Sequence, residues 1–144
     1  MTKGPQRVED MIKSLRSWQS IERQAMEDTA LILEKTDNQM IRIIMEVIRA
    51  DSLMHHRVQQ VIIDSLNKEN ITLTHDDIAA VWGEIQAHDA HEKDVIKIAT
   101  ELREKAWTPV HKVLLQYLLT SEQVHDQLLE QLGEIKKEMS KGTN

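Results

Sequence analysis

Apolar residues return every three or four positions along most of the chain, the spacing that lays them on one face of an α-helix. The first run, Val8, Met11, Ile12, Leu15, Trp18, Ile21, Ala25, Met26 and Leu33, stops at Lys35-Thr36-Asp37-Asn38, a stretch of helix-capping residue types. The second, Met40, Ile43, Ile44, Val47, Met54, Val58, Val61 and Ile62, dissolves into Asn67-Lys68-Glu69-Asn70. A third opens at Thr74-His75-Asp76-Asp77, where the threonine can cap and the acids meet the positive end of the helix dipole. It continues through Ile78, Val81, Ile85, Val95, Ile96, Ala99 and Leu102. Thr108-Pro109 is a cap followed by proline at the first helical position, where a missing N–H costs nothing. The fourth run follows with Val110, Val113, Leu114, Tyr117, Leu118, Val124, Leu128, Leu132 and Ile135. The spacing predicts helices over about 6–35, 38–67, 75–106 and 109–138, with a frayed, charged tail over 139–144. Long helices of matched length with short connections predict an all-α, antiparallel four-helix bundle, a single domain over 1–144.

Composition supports that reading and removes whole classes of chemistry. Four Gly and two Pro leave little turn material for a β fold. The absence of Cys removes disulfide frameworks, thiolate metal sites and cysteine nucleophiles together. A net charge of −6 argues against nucleic acid and anionic membrane as partners, and a chain with no Phe offers no stacking platform for single strands. No segment approaches the roughly 20 apolar residues of a membrane span, and MTKGPQRVED has no apolar leader stretch, so a soluble, cytoplasmic protein is expected. No nucleophile elbow, phosphate loop or dinucleotide fingerprint is present.

The candidate chemistry lies in polar residues that fall inside the apolar stripes, because a carboxylate taken out of water needs a cation, a metal or a proton. At 100° per residue, Glu22 lies near the centre of the first stripe, Asp51 and His55 near that of the second, and His88 and Glu92 on that of the third. In the fourth, His125 falls inside the stripe and Glu122 on its edge. Glu27, Glu46 and Glu84 point elsewhere. A shift of 70 residues superimposes the two halves of the chain without a gap: Val8 on Ile78, Leu15 on Ile85, Ile44 on Leu114, Val58 on Leu128. The polar intruders obey the same shift, Glu22 falling on Glu92 and His55 on His125, as a duplicated helix pair with pseudo-twofold symmetry would require. A blander arrangement uses the same residues: Asp51 with His55, and His88 with Glu92, are spaced to hydrogen-bond within one helix as a metal-free polar network.

A Glu from each of two helices, with a Glu-x-x-His from each of the other two, builds the di-metal site of carboxylate bundles. On the segments Ala50-Asp51-Ser52-Leu53-Met54-His55-His56, Ala87-His88-Asp89-Ala90-His91-Glu92-Lys93 and Ser121-Glu122-Gln123-Val124-His125-Asp126, the chain resembles the ferritin-like superfamily, most closely its rubrerythrin-type members. The resemblance implies Glu22 and Glu92 as terminal carboxylates, Glu122 as a bridging carboxylate, and His55 and His125 as imidazole ligands. It departs at Ser52, where the second bridging Glu should stand; Asp51 could substitute from a different angle, and His88 adds an imidazole. The implied cofactor is iron, as a pair or a single ion, with manganese or zinc as alternatives. The implied activity is dioxygen or peroxide chemistry of the oxidase or peroxidase kind, supplied by an external reductant because no rubredoxin-type centre is present. The alternative is a non-catalytic helical interaction protein with a degenerate metal site. A homodimer is an option, with Trp82 and Trp107 at the contact.

Overall fold

The structure, a computed structural model, describes residues 3–67 and 71–142. It is all-α, with α1 Lys3–Lys35, α2 Gln39–Asn67, α3 His75–Lys105 and α4 Pro109–Gly142, and no strand among the described residues. Residues 68–70 of the expected second connection lie outside the described residues. The chain divides into two compact units, Met1–Thr72 and Leu73–Asn144, in which α1 packs on α2 and α3 on α4.

Each unit is an antiparallel hairpin, and its caps show why the turns fall where they do. Asn38 is the N-cap of α2: its Oδ1 accepts the Ile41 N–H at 3.0 Å. The Arg42 guanidinium reaches back to donate to the carbonyls of Leu33, 2.6 Å, and Thr36, 3.0 Å. A cation thereby closes the C-terminal end of α1, where carbonyls have no helical partner and the dipole is negative. In the second unit Thr74 and Asp77 form a reciprocal capping box at the start of α3. Thr108 caps α4 by accepting the His111 N–H at 3.1 Å, with Pro109 in the first helical position.

The hairpins repeat each other with the 70-residue shift. α1 and α3 end at Lys35 and Lys105, α2 and α4 begin at Gln39 and Pro109. The opening backbone hydrogen bonds correspond as well, Arg42 N–H to Asn38 and Lys112 N–H to Thr108, 3.0 Å in both. Apolar volume is exchanged between equivalent positions. Ile12 and the fully buried Ile63 of the first hairpin become Trp82 and Gly133 in the second. A Cβ at position 133 would stand 3.2 Å from the Trp82 ring, so the glycine makes room for the indole.

The buried seam of each hairpin is narrow, with positions seven apart: Glu22 and Thr29 on α1, Ser52 and Gln59 on α2, Glu92 and Ala99 on α3; it is mostly polar in the first hairpin, whereas in the second Glu92 lies among Ile78, Ala99 and Leu119. Two expected boundaries shift by more than one residue. α1 starts at Lys3, since Pro5 falls in the first turn where its missing N–H is not needed. The tail expected to fray from 139 is helical through Gly142, because no breaker interrupts the helix formers Glu138, Met139 and Lys141, and Glu138 lies 3.9 Å from the Lys141 ammonium. No described helix is long and apolar enough to cross a membrane.

Candidate metal centre

The polar intruders gather in two groups, one in each hairpin. In the first hairpin Glu22, buried on α1, lies 3.1 Å from His55 Nδ1 of α2 through its Oε2. Asp51 does not join them. The apolar stripe of α2 averages two faces: Ser52, Gln59 and Ile63 are buried, whereas Met54, Val58 and Val61 are exposed. The stripe centre therefore misplaces the seam by one residue, and Asp51 is exposed while Ser52 is buried.

The second hairpin brings four of the expected residues together. Glu92 is buried on α3, and its Oε1 lies 2.7 Å from His88 Nε2, one turn earlier on the same helix. From α4, His125 Nδ1 stands 3.6 Å from the same Oε1 and 3.5 Å from Glu122 Oε2. Glu122 and His125 face one way because they are three residues apart. Glu92, Glu122 and His125 each offer a ligand atom, all within 4.8 Å of one another. The other oxygen of Glu92, Oε2, is shut off from water and receives no N–H or hydroxyl donor. Two neighbouring carboxyls do not both ionise easily. The hydrogen bond from the Glu122 carboxyl holds Glu92 below the usual carboxylate range, and Glu122, as the proton holder, is pushed up.

The donor set fits a first-row divalent ion. Imidazole and carboxylate suit zinc, iron and manganese. For ligands about 2.0–2.1 Å from a tetrahedral ion, neighbouring ligand atoms lie about 3.3 Å apart. The contacts of His125 are close to that spacing and too long for hydrogen bonds. The contact of His88 is a direct hydrogen bond to Glu92, so His88 would have to turn to become a ligand.

Four residues of this region go unmarked in the sequence reading. Lys93 places its ammonium 2.6 Å from Asp126, 3.0 Å from Asp89 and 3.4 Å from Glu130. Asp126 and then Asp89 hold that amine charged well above its ordinary range. Between the two aspartates, hydrogen bonding lowers Asp126 and raises Asp89. The signal was available in the chain separation. Glu22 meets His55 and Glu92 meets His125 across 33 residues, and the next pair along, Lys93 with Asp126, has the same separation.

Comparison of the chain with models of known protein families, with characterised proteins and with solved structures finds no match to any of them.

Proposed function

We propose that the protein binds one first-row divalent metal ion, iron(II) foremost, through Glu92, Glu122 and His125, with His88 as an additional imidazole. The observation that carries the reading is the state of Glu92. One buried oxygen is approached by two imidazoles, and the other, shut off from water, receives no N–H or hydroxyl donor, which leaves the neighbouring Glu122 carboxyl as the remaining partner of the group. A buried carboxylate oxygen left in that state is costly, and a metal ion relieves it together with the proton shared with Glu122. When bound, iron would supply Lewis acidity and electron exchange with dioxygen or peroxide, in the manner of the rubrerythrin-type proteins that the motif resembles.

The test is anaerobic calorimetric titration of the metal-free protein with iron(II), manganese(II) and zinc(II). One equivalent should bind, and Glu92→Gln or His125→Ala should weaken binding at least tenfold, the scale expected from loss of a metal ligand or its support. Iron-loaded protein exposed to peroxide should develop an ultraviolet charge-transfer band that zinc-loaded protein lacks. Absence of binding in the unaltered protein would sink the proposal.

A second reading is a metal-free hairpin that acts by binding a partner. It is favoured by the mutual pairing of Glu22 with His55 and of Glu92 with His88. Under it, His55→Ala and Glu92→Ala change stability or partner affinity, and metal content stays unchanged.

A further inference from the structure

Beside the proposed metal ligands lies a second group of charges built on the neighbouring residues. Asp89 follows His88, Lys93 follows Glu92 and Asp126 follows His125, so the two groups share the same turns of α3 and α4. Three carboxylates, Asp89, Asp126 and Glu130, surround one ammonium. One of their oxygens, Asp89 Oδ1, is shut off from water and receives no N–H or hydroxyl donor.

The first hairpin shows that this concentration of acid is not a requirement of the fold. At the equivalent positions stand Gln19, Arg23, His56 and Gln60. There Gln19 Nε2 donates to Gln60 Oε1 at 3.0 Å and to the His56 carbonyl at 3.3 Å, and Arg23 Nη1 lies 3.0 Å from His56 Nε2. None of these four residues is a carboxylate, and Gln60 Nε2 also donates to Asp64 Oδ1, 2.9 Å away on its own helix. In the second hairpin three of the four equivalent positions are acids, arranged around a positive charge.

We infer that the Lys93 ammonium is a tethered cation standing in the place of a second metal ion, so that the centre beside it takes one divalent ion and not two. This rests on the proposed metal binding by Glu92, Glu122 and His125. An ammonium and a hard divalent ion compete for the same ligands, because both are satisfied by carboxylate oxygens. The amine is held by its own side chain at no cost in association, and no free ion has that advantage. Removing the amine while keeping the length of the side chain leaves an oxygen cage suited to manganese(II) or calcium.

The experiment titrates the full chain with manganese(II), for the unaltered protein and for Lys93→Met, by calorimetry and electron paramagnetic resonance. The unaltered protein should bind one equivalent and give an uncoupled six-line spectrum even in excess manganese. Lys93→Met should bind two, and the second should disappear in Lys93→Met/Asp89→Asn. Its Tm should fall by a few degrees without metal and recover with manganese. One equivalent in both proteins overturns the inference and leaves the first site standing. None in the unaltered protein and one in Lys93→Met overturns the first site, and with it the inference about its stoichiometry. Should Lys93→Met fail to fold, Lys93→Gln serves in its place. The unaltered protein still decides the matter by itself, since a spin-coupled manganese pair in it would refute the inference.

Discussion

Of the Glu92–Glu122 pair, Glu122 is the one whose proton is held more tightly, and that proton links folding to metal binding. Its folded pKa is raised above the ordinary 4.5, so its contribution to stability is fully present below 4.5 and is lost as pH rises through the folded value. Glu92 behaves oppositely, contributing above 4.5 and losing that contribution as pH falls through its depressed value. Glu122→Gln replaces the acid with an amide that donates to Glu92 at every pH. In metal-free protein, urea unfolding should therefore find the variant gaining on the unaltered chain between pH 4 and pH 7.5, although it binds metal at least tenfold more weakly. Equal stability of the two proteins at both pH values would show that no proton is shared. At this scale the sequence was legible where register carried the information and illegible where orientation did. Glu22, His55, Glu92 and His125 stand out because two halves of the chain repeat them. Asp51 and Ser52 differ by one position on a helix whose apolar residues cover two faces, and only the packed seam separates them.

The hairpin is the element that the chain uses twice, and around one crossing its two copies keep a Glu and a His while changing most of the side chains beside them. Trp18, Glu22, Ser52 and His55 in the first correspond to His88, Glu92, Glu122 and His125 in the second. Ser52 is buried, where Glu122 is only partly so. Ser52→Glu would bring a second carboxylate beside Glu22 and His55. Without metal the variant should lose about 1–3 kcal/mol, the scale of a buried group short of partners. Manganese(II) or zinc(II) should restore that loss, and the number of bound equivalents should rise by one. A variant destabilised alike with and without metal would show that the first hairpin cannot assemble the site. The helices themselves were legible to within a few residues, because apolar spacing and caps such as Asn38, Thr74 and Thr108 are local properties. The Lys93 cluster was not, because charges beside a stripe read as a solvated face until the crossing partner is known.

Taken as a whole, the chain carries a net charge of −6, and much of its acid surplus near one crossing is concentrated in α3 and α4. The 70-residue shift made the pairing of helices legible before any geometry was known, since a repeat must fold twice in the same way. The proposed site also has an uneven depth. Glu92 is closed off at the seam, with a side chain only 7% exposed, whereas the rings of His88 and His125 stand 63% and 50% open to solvent. A chelator can therefore meet the ion without any helix parting. Stopped-flow mixing of loaded protein with excess EDTA should release the metal much faster than the chain unfolds, and circular dichroism should stay constant throughout. The residence time of the ion is then set at the rim and not by the stability of the fold. Occupancy would follow the free metal of the surroundings, and the ion found in any one preparation would be a record of the last solution the protein met.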